Sequence, residues 1–167
     1  MDACAGRLSV ASAAVRPLAA DDPAEVDEAI RRWHGTNVDS YWYNAVQQGH
    51  TPAQAQAFFR AEVMEHCAVQ VALVDGRLAG LIVLDAPWIR QLAVFAEFRR
   101  HGVASALLAW ARGQSPAGLR LFTFQRNTGA RAFYERHGFL VQRLGTSPAP
   151  ESEPDVEYAW FAEPPRH

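Results

Sequence analysis

The chain has 167 residues and a formal net charge of −2, which fits one domain, residues 1–167, with a core of its own. The slight negative charge and the lack of a basic run exclude nucleic acid as the main partner, and no apolar run is long enough to span a membrane. Two cysteines, Cys4 and Cys67, are too few for a disulfide framework and lack metal-ligand spacing, which predicts a reduced, cytoplasmic protein. Residues 1–7 and 164–167 are predicted to be loose tails.

The chain begins with a predicted strand, Leu8 to Arg16, followed by a helix. Asp22 has the residue type of a helix cap, Pro23 suits the first helical position, and Glu25 would complete a capping box. Apolar residues then recur at helical spacing, and the helix is predicted to end at Gly35.

A second helix is predicted from Thr51, which forms a capping-box pattern with Gln54, to about His66. The intervening region, Asn37 to His50, is rich in aromatic residues and is predicted to be irregular. Its tyrosines and Trp42 form an aromatic cluster with Trp33. Part of this cluster is predicted to be core, and part could line a pocket for an aromatic or cationic amine.

Two strands, Ala68 to Val74 and Arg77 to Asp85, follow as a hairpin, because Asp75-Gly76 between alternating apolar runs is the strongest short hairpin signal. Ala86-Pro87 breaks the second strand. A third strand begins at Ile89 and leads into a helix that should end near Gly113.

The last part of the chain alternates again between strand and helix patterns. It contains a strand from Leu119 to Gln125, a helix that ends before Gly138, and strands from Leu140 to Leu144 and from Val156 to Phe161, the last two separated by a loop. The predicted order is β-α-α-β-β-β-α-β-α-β-β, which indicates an α/β (α+β) fold with a mixed sheet and helices on its faces.

The third strand and its helix are joined by residues 99–105, Arg-Arg-His-Gly-Val-Ala-Ser. Gly102 lets a ligand approach the backbone, and the opening turn of the helix presents unpaired amides that favour an anion. The loop is therefore predicted to bind a phosphate or pyrophosphate, with Arg99 and Arg100 adding charge, although both arginines could be solvated loop residues. The chain has no lysine for a P-loop and no Gly-x-Gly-x-x-Gly fingerprint.

Two motifs carry a family resemblance. Arg99-x-x-Gly102-x-Ala104 resembles the coenzyme A signature of the GCN5-related N-acetyltransferases, the GNAT superfamily. Asn127-x-x-Ala-x-x-Phe-Tyr134-Glu-x-x-Gly138-Phe resembles the second motif of the same family in order and spacing. The resemblance covers about residues 68 to 144. It implies the family's mostly antiparallel sheet flanked by helices.

The resemblance implies that acetyl-coenzyme A is a co-substrate and that its acetyl group passes directly to an amine, with no metal required. Tyr134 would be the general acid facing the cofactor sulfur; otherwise it is a core tyrosine. Asn127 would bind the pantetheine arm. Its other reading is a helix N-cap, and one side chain could have both roles. The remaining cofactor contacts implied are backbone groups of the third strand and the loop after it: Leu92, Ala93, Val94, Arg99, Arg100, His101, Gly102, Val103, Ala104 and Ser105.

The general base is not identified by the resemblance. Relatives that acetylate histone lysines carry a glutamate on the cofactor strand, and its counterpart here falls near Trp88, which cannot accept a proton. We rank His34 first because it follows the first predicted helix, in a region that usually borders the acceptor pocket. Bound water could serve instead. The other candidates are Asp85, Glu97, His50, Glu62, Glu65 and His66.

The acceptor is expected to be a small-molecule amine or a peptide amine, and a homodimer is left open. Two other functions remain as alternatives. One is a non-catalytic module of the same fold that senses an acyl-coenzyme A. The other is a nucleotide-binding α/β protein of a different kind, since a fold does not determine a function.

Overall fold

All seven strands in the computed structural model, which describes residues 12–162, belong to one sheet in the order β1-β2-β3-β4-β5-β7-β6. Every neighbouring pair is antiparallel except β4 and β5, which are parallel. The predicted mixed and mostly antiparallel sheet is therefore confirmed. The strands are β1 (Ala14–Pro17), β2 (Ala68–Val74), β3 (Arg77–Asp85), β4 (Trp88–Val94), β5 (Gly118–Phe124), β6 (Leu140–Thr146) and β7 (Pro154–Phe161).

The helices occupy three stretches of the chain. Their bounds are α1 (Pro23–Ser40), α2 (Ala45–Gly49), α3 (Pro52–Phe58), α4 (Met64–His66), α5 (Val103–Gln114) and α6 (Thr128–Arg136), with a π-helical segment at Phe59–Val63 and a 3₁₀ turn at Ala96–Phe98. The helix predicted from Thr51 to His66 thus has the predicted length, but it is π-helical instead of α-helical between α3 and α4.

The capping signals predicted at the starts of α1 and α3 are present to different extents. The Asp22 carboxylate accepts from the amides of Ala24 and Glu25, as a cap should. Glu25 does not complete the predicted capping box, because its carboxylate accepts hydrogen bonds from Arg16 at 2.7 and 2.8 Å and from the Ala19 amide at 3.0 Å. The capping box of Thr51 and Gln54 is present.

Helix α1 runs to Ser40, so the prediction that it ends at Gly35 is wrong. A glycine inside a helix costs only about 1 kcal/mol relative to alanine, and burial of the apolar stripe, including Ile30 and Trp33, more than offsets it. The region from Asn37 to His50, predicted to be irregular, holds the end of α1 and the short helix α2, which is capped by Asn44.

The hairpin between β2 and β3 forms at the predicted residues, with positive φ angles of 50° at Asp75 and 73° at Gly76. The first strand is shorter than predicted within the described residues, since it begins at Ala14. Residues 8–11 of the predicted strand, Cys4 and both predicted tails lie outside the described residues. Strands β6 and β7 are each about two residues longer than predicted.

The core is centred on β3, where every residue from Leu78 to Leu84 is buried. Such a strand needs cover on both faces of the sheet. Helices α1 and α5 both pack against it. Strand β6 is the opposite case, because it is an edge strand and six of its seven residues are exposed.

Candidate active site

Strands β4 and β5 separate from one another, which opens a wedge in the sheet. Their one parallel pair within the described residues is Trp88 with Arg120, where the Arg120 amide donates to the Pro87 carbonyl at 2.8 Å. Beyond that pair, β4 remains joined only to β3, as far as Val94 opposite Gly80. The wedge therefore opens towards the carboxyl ends of the two parallel strands.

The free edge of β4 presents backbone groups to this wedge. The last paired residues of β3 and β4 are Gly80 and Val94, and one residue further on the Phe95 amide donates to the Ala79 carbonyl at 2.9 Å. This geometry directs the backbone groups of Ala93 towards β3. Because alternate residues point to opposite edges of a strand, the groups of Leu92 and Val94 point towards the β5 side, where an extended ligand could bind as a strand does.

Gly80 holds the end of β4 and the start of α5 close together. A Cβ at this position would lie 2.5 Å from the Ala93 carbonyl oxygen and 2.9 Å from Val103 Cγ1. No larger residue fits without moving the backbone of β4. The Val103 side chain is buried beneath the loop, as a core residue.

The predicted phosphate cradle lies where β4 turns into α5. Arg100 and Gly102 have positive φ angles of 64° and 73°, which turn the chain sharply before Val103. Gly102 precedes the first residue of α5 and has no side chain to cap it, whereas Asp22, Thr51 and Asn127 cap α1, α3 and α6. The first amides of α5 thus lack the side-chain oxygen that these three helices have, and such amides favour an anion.

The side chains around the cradle are mostly exposed. Arg99, Arg100 and His101 are all exposed, and His101 Nδ1 lies 2.9 Å from the Arg99 carbonyl oxygen. Ser105 Oγ lies 3.2 Å from His137 Nε2, which joins the start of α5 to the end of α6. Both arginines are free to reach an anionic ligand.

Asn127 lies at the end of β5, and its side-chain oxygen caps α6 by accepting from the Ala130 amide at 3.2 Å. The predicted cap is therefore present. Burial raises the pKa of Tyr41, and a hydrogen bond with the Asn127 side chain opposes that rise. Asn127 thus connects α6 to the end of α1 at the open end of the wedge.

Tyr134 lies on α6 and is 7% exposed. Its ring packs 5.2 Å from Phe133, 5.3 Å from Phe139 and 6.3 Å from Tyr158, measured between ring centroids. Burial raises the pKa of Tyr134, the charge of Tyr41 adds to the rise, and no hydrogen bond from a described residue opposes it. The ring therefore belongs to the core, while the hydroxyl stays protonated at neutral pH and has no partner in the described chain.

The candidate bases are spread over the molecule. His34 lies within α1, not in a loop after it, because the helix continues to Ser40. Trp88 stacks on Phe122, with ring centroids 5.3 Å apart and planes 5° from parallel. Two of the acids are paired: Asp85 with Arg90 at 3.0 Å, and Glu97 with Arg32.

The predicted aromatic cluster is divided between two places. Trp33 packs on Phe59 at 5.1 Å in the core, and its indole nitrogen donates to the Gln91 side chain at 3.3 Å. Tyr41 and Tyr43 instead contact Phe124, at the end of β5, with ring centroids 5.1 and 6.3 Å away. Only this second group adjoins the wedge.

Sequence reasoning missed Glu153 and Arg126, which lie beside Tyr43. Glu153 is 9% exposed, and Arg126 Nε lies 3.9 Å from its Oε2. The region from Thr146 to Asp155 has the composition of an exposed loop, so nothing in the sequence pattern marked Glu153 as buried. The loop contacts the end of α1 and α2, where Asn44 and Gln47 donate to Glu151 at 3.3 Å each.

Other features of the described residues do not add to this site. A cavity of about 370 Å³ lies between α1 and the β2–β3 hairpin, and none of its lining residues is a predicted site residue. Residues 12–162 contain no cluster of three or more His, Cys, Asp or Glu side chains that could hold a metal ion. No helix among them has the length and apolar character needed to cross a membrane.

Residues 65–141 match the family model of the acetyltransferase (GNAT) domain. The resemblance to the GNAT superfamily is confirmed. The matched region contains β2 to β5, the cradle, Asn127 and Tyr134. No curated protein sequence matches the chain.

Solved structures share the GNAT fold with this chain. The apo form of YjaB from Escherichia coli has a TM-score of 0.72 at 18% identity, covering 90% of this chain and 98% of its own. A GCN5-related N-acetyltransferase from Rhodopseudomonas palustris has a TM-score of 0.71 at 19% identity, with coverages of 93% and 99%. A candidate streptothricin acetyltransferase from Bacillus anthracis, in complex with acetyl coenzyme A, has a TM-score of 0.53 at 22% identity, with coverages of 63% and 72%.

Proposed function

We propose that the protein is an N-acetyltransferase that moves an acetyl group from acetyl-coenzyme A directly to an amine. The observation that carries the proposal is the meeting of two unsatisfied backbone surfaces, the free edge of β4 at Leu92 and Val94 and the uncapped first turn of α5. An extended arm that ends in a pyrophosphate needs both surfaces in this order along the chain. Pantetheine and the coenzyme A pyrophosphate have that form.

The pyrophosphate would bind the amides of Gly102 to Ser105, with Arg99 and Arg100 placed to add charge. The pantetheine arm would follow β4, and the Asn127 side chain would bind its amide groups at the mouth of the wedge. The loop before α5 has room for a pyrophosphate, because a Cβ at Gly102 would meet nothing within 4 Å and the loop is open to solvent.

In the reaction, the amine nitrogen attacks the thioester carbonyl carbon, the new C–N bond forms, and the C–S bond breaks to release a thiolate. Tyr134 would donate a hydrogen bond to that sulfur as its charge develops. Because burial raises the pKa of Tyr134, complete proton transfer to the thiolate is uphill. Its larger contribution would be stabilisation of the leaving group.

The amine must lose a proton to react, and the residue that accepts it stays a prediction. His34 on α1 and bound water are the two candidates that we carry forward. The acceptor is proposed to be a small-molecule or peptide amine, and the proposed compartment is the cytoplasm, where the free thiol of Cys67 stays reduced.

Titration calorimetry with acetyl-coenzyme A, followed by thiol detection with a panel of amines, tests the proposal. We expect binding, and thiol release that depends on an amine. Binding without release for any amine would favour the non-catalytic sensing module. Failure to bind acetyl-coenzyme A, with retention on nucleotide resins, would favour a different nucleotide-binding protein.

A further inference from the structure

Two buried oxygen atoms near the wedge have no hydrogen-bond partner among residues 12–162. One is Oε2 of Glu153, a residue that is 9% exposed, and the other is the hydroxyl of Tyr43. Leaving a carboxylate oxygen buried without a donor is costly. A site that retains such an oxygen is suited to a ligand that supplies a donor.

The nearest cation in the described part of the chain is a poor partner for this carboxylate. Arg126 Nε lies 3.9 Å from Glu153 Oε2, which is too far for a hydrogen bond, and the Arg126 side chain is 59% exposed. Its guanidinium lies over the Tyr43 ring, 5.3 Å from the centroid. Arg126 thus lies between a carboxylate and an aromatic face, the two kinds of group that a cationic ligand would contact.

Glu153 and Tyr43 both lie beside the Arg126 guanidinium group. Burial raises the pKa of Tyr43 to about 12, and the charges of Tyr41 and then Glu153 add to the rise. Tyr43 therefore keeps its proton at neutral pH, and its oxygen can also accept from an ammonium group.

The site is connected to the wedge through Tyr41. Strand β7, which Glu153 precedes, pairs with the end of β5, where the Gln125 amide donates to the Pro154 carbonyl at 2.9 Å. Tyr41 lies 6.4 Å from Tyr43 between ring centroids, and its hydroxyl is hydrogen-bonded to the Asn127 side chain at the mouth of the wedge. A ligand of modest length could therefore contact Tyr43 while another of its atoms reaches the wedge.

We propose that Glu153 and Tyr43 bind a positively charged group of the acceptor, so that the acceptor is an amine with a second cationic group away from the nitrogen that is acetylated. This inference rests on the proposed function. Charge complementarity supports it, because the Glu153 carboxylate, which Glu151 and Asp155 flank in sequence, has no cation within hydrogen-bond distance among the described residues. An anionic group would face these carboxylates, and a neutral group would leave the charge of Glu153 uncompensated.

The experiment compares α,ω-diaminoalkanes from propane to octane with n-alkylamines of the same length. Thiol release gives kcat and KM for each amine. For at least one chain length, the diamine should have a KM lower than that of its monoamine by about 10-fold or more, the usual worth of a charge-assisted hydrogen bond.

Variants separate this site from a general effect of charge. Glu153→Gln should remove the preference for the diamine and leave the monoamine KM unchanged, and Tyr43→Phe should weaken the preference. Arg126→Gln should lower the diamine KM, because it removes a competing cation. Glu151→Gln is the matched control, since it removes the same charge two residues away, and the diamine preference should persist in it.

Equal KM values for every diamine and its monoamine in the unmodified protein would overturn the inference, as would equal effects of Glu151→Gln and Glu153→Gln. Melting temperatures identify variants that have lost their fold, and Tyr43→Phe then provides the test. Calorimetry with acetyl-coenzyme A is measured in parallel. If the cofactor binds and diamines are not preferred, this inference fails alone.

If acetyl-coenzyme A does not bind, the proposed function fails. In that case calorimetry of the diamines with the protein alone still decides whether the Glu153 site binds a dication. Binding that Glu153→Gln abolishes would retain the cation site, and no binding would refute it.

Discussion

Tyr134→Phe separates the hydroxyl of Tyr134 from its ring. The substitution keeps the aromatic contacts with Phe133, Phe139 and Tyr158, whose centroids lie 5.2 to 6.3 Å away. It removes only the hydroxyl group. Burial raises the pKa of that hydroxyl, and no hydrogen bond from the described residues opposes the rise. We therefore expect the free energy of unfolding to change by less than about 1 kcal/mol.

The catalytic effect should be larger than the structural one. A hydrogen bond to a charged group contributes about 1.5–3 kcal/mol, so loss of the donor to the departing thiolate should lower kcat roughly 10- to 100-fold. Because burial raises the pKa of Tyr134 above its ordinary value of about 10, the hydroxyl is protonated throughout a neutral pH range. The fold-loss should therefore be the same at every pH in that range.

Steady-state thiol release gives kcat, and calorimetry gives the affinity for acetyl-coenzyme A, which should stay within about 2-fold. Tyr158→Phe is the matched control, because the Tyr158 hydroxyl donates to Glu135 at 2.6 Å and accepts from Arg131 at 3.2 Å. It should lower the melting temperature and leave kcat per folded molecule unchanged.

Two results would refute the reasoning. Wild-type turnover in Tyr134→Phe would make Tyr134 a packing residue alone. Equal losses of kcat in the Tyr134 and Tyr158 variants would trace the effect to packing around α6, not to the hydroxyl.

Three further predictions concern the cradle, the base and alkaline stability. Gly102→Glu should abolish binding of acetyl-coenzyme A in calorimetry, whereas Gly113→Glu at the other end of α5 should bind normally; unchanged affinity in a folded Gly102 variant would contradict the site. Turnover should rise with pH through the neutral-to-alkaline range. If His34 is the general base, His34→Ala should remove the step at lower pH from the pH–rate profile and cost ~10²-fold in turnover. Identical pH–rate profiles for the variant and the unmodified protein would assign the general-base role to water or another residue. Because the pKa values of Tyr134 and Tyr43 are raised in the folded protein, their contribution to the free energy of unfolding should be fully present below about pH 10. It should be lost as the pH rises through the pKa of the folded state, about 12 for Tyr43. A free energy of unfolding in urea that does not depend on pH above 10 would contradict this.

Local patterns in the sequence determined much of the fold. The bounds of β2 and β3 follow from alternating apolar residues around Asp75-Gly76, whose left-handed backbone angles depend on those two residues alone. The Asp22 cap and the left-handed Gly138 after α6 are equally local. The two motifs also placed the cradle and Tyr134 on the elements where the structure has them.

Long-range contacts decided the rest. Helix α1 continues past Gly35 because burial of its apolar stripe outweighs the local cost of glycine. Glu25 does not form the predicted capping box because it binds Arg16, which lies on a strand nine residues earlier. Trp33 separates from Tyr41 and Tyr43 because these residues lie on different turns and face different parts of the sheet.

The properties that the proposed reaction requires of the candidate site were decided by tertiary structure alone. The wedge exists because β4 and β5 diverge after Trp88, and neither strand's sequence specifies where its neighbour stops pairing. Burial of Tyr134 and Glu153 depends on elements distant in sequence, which set the pKa of the phenol and leave the carboxylate oxygen without a donor. Sequence could name the chemical groups, but desolvation, which decides their energies, depends on the whole packed chain.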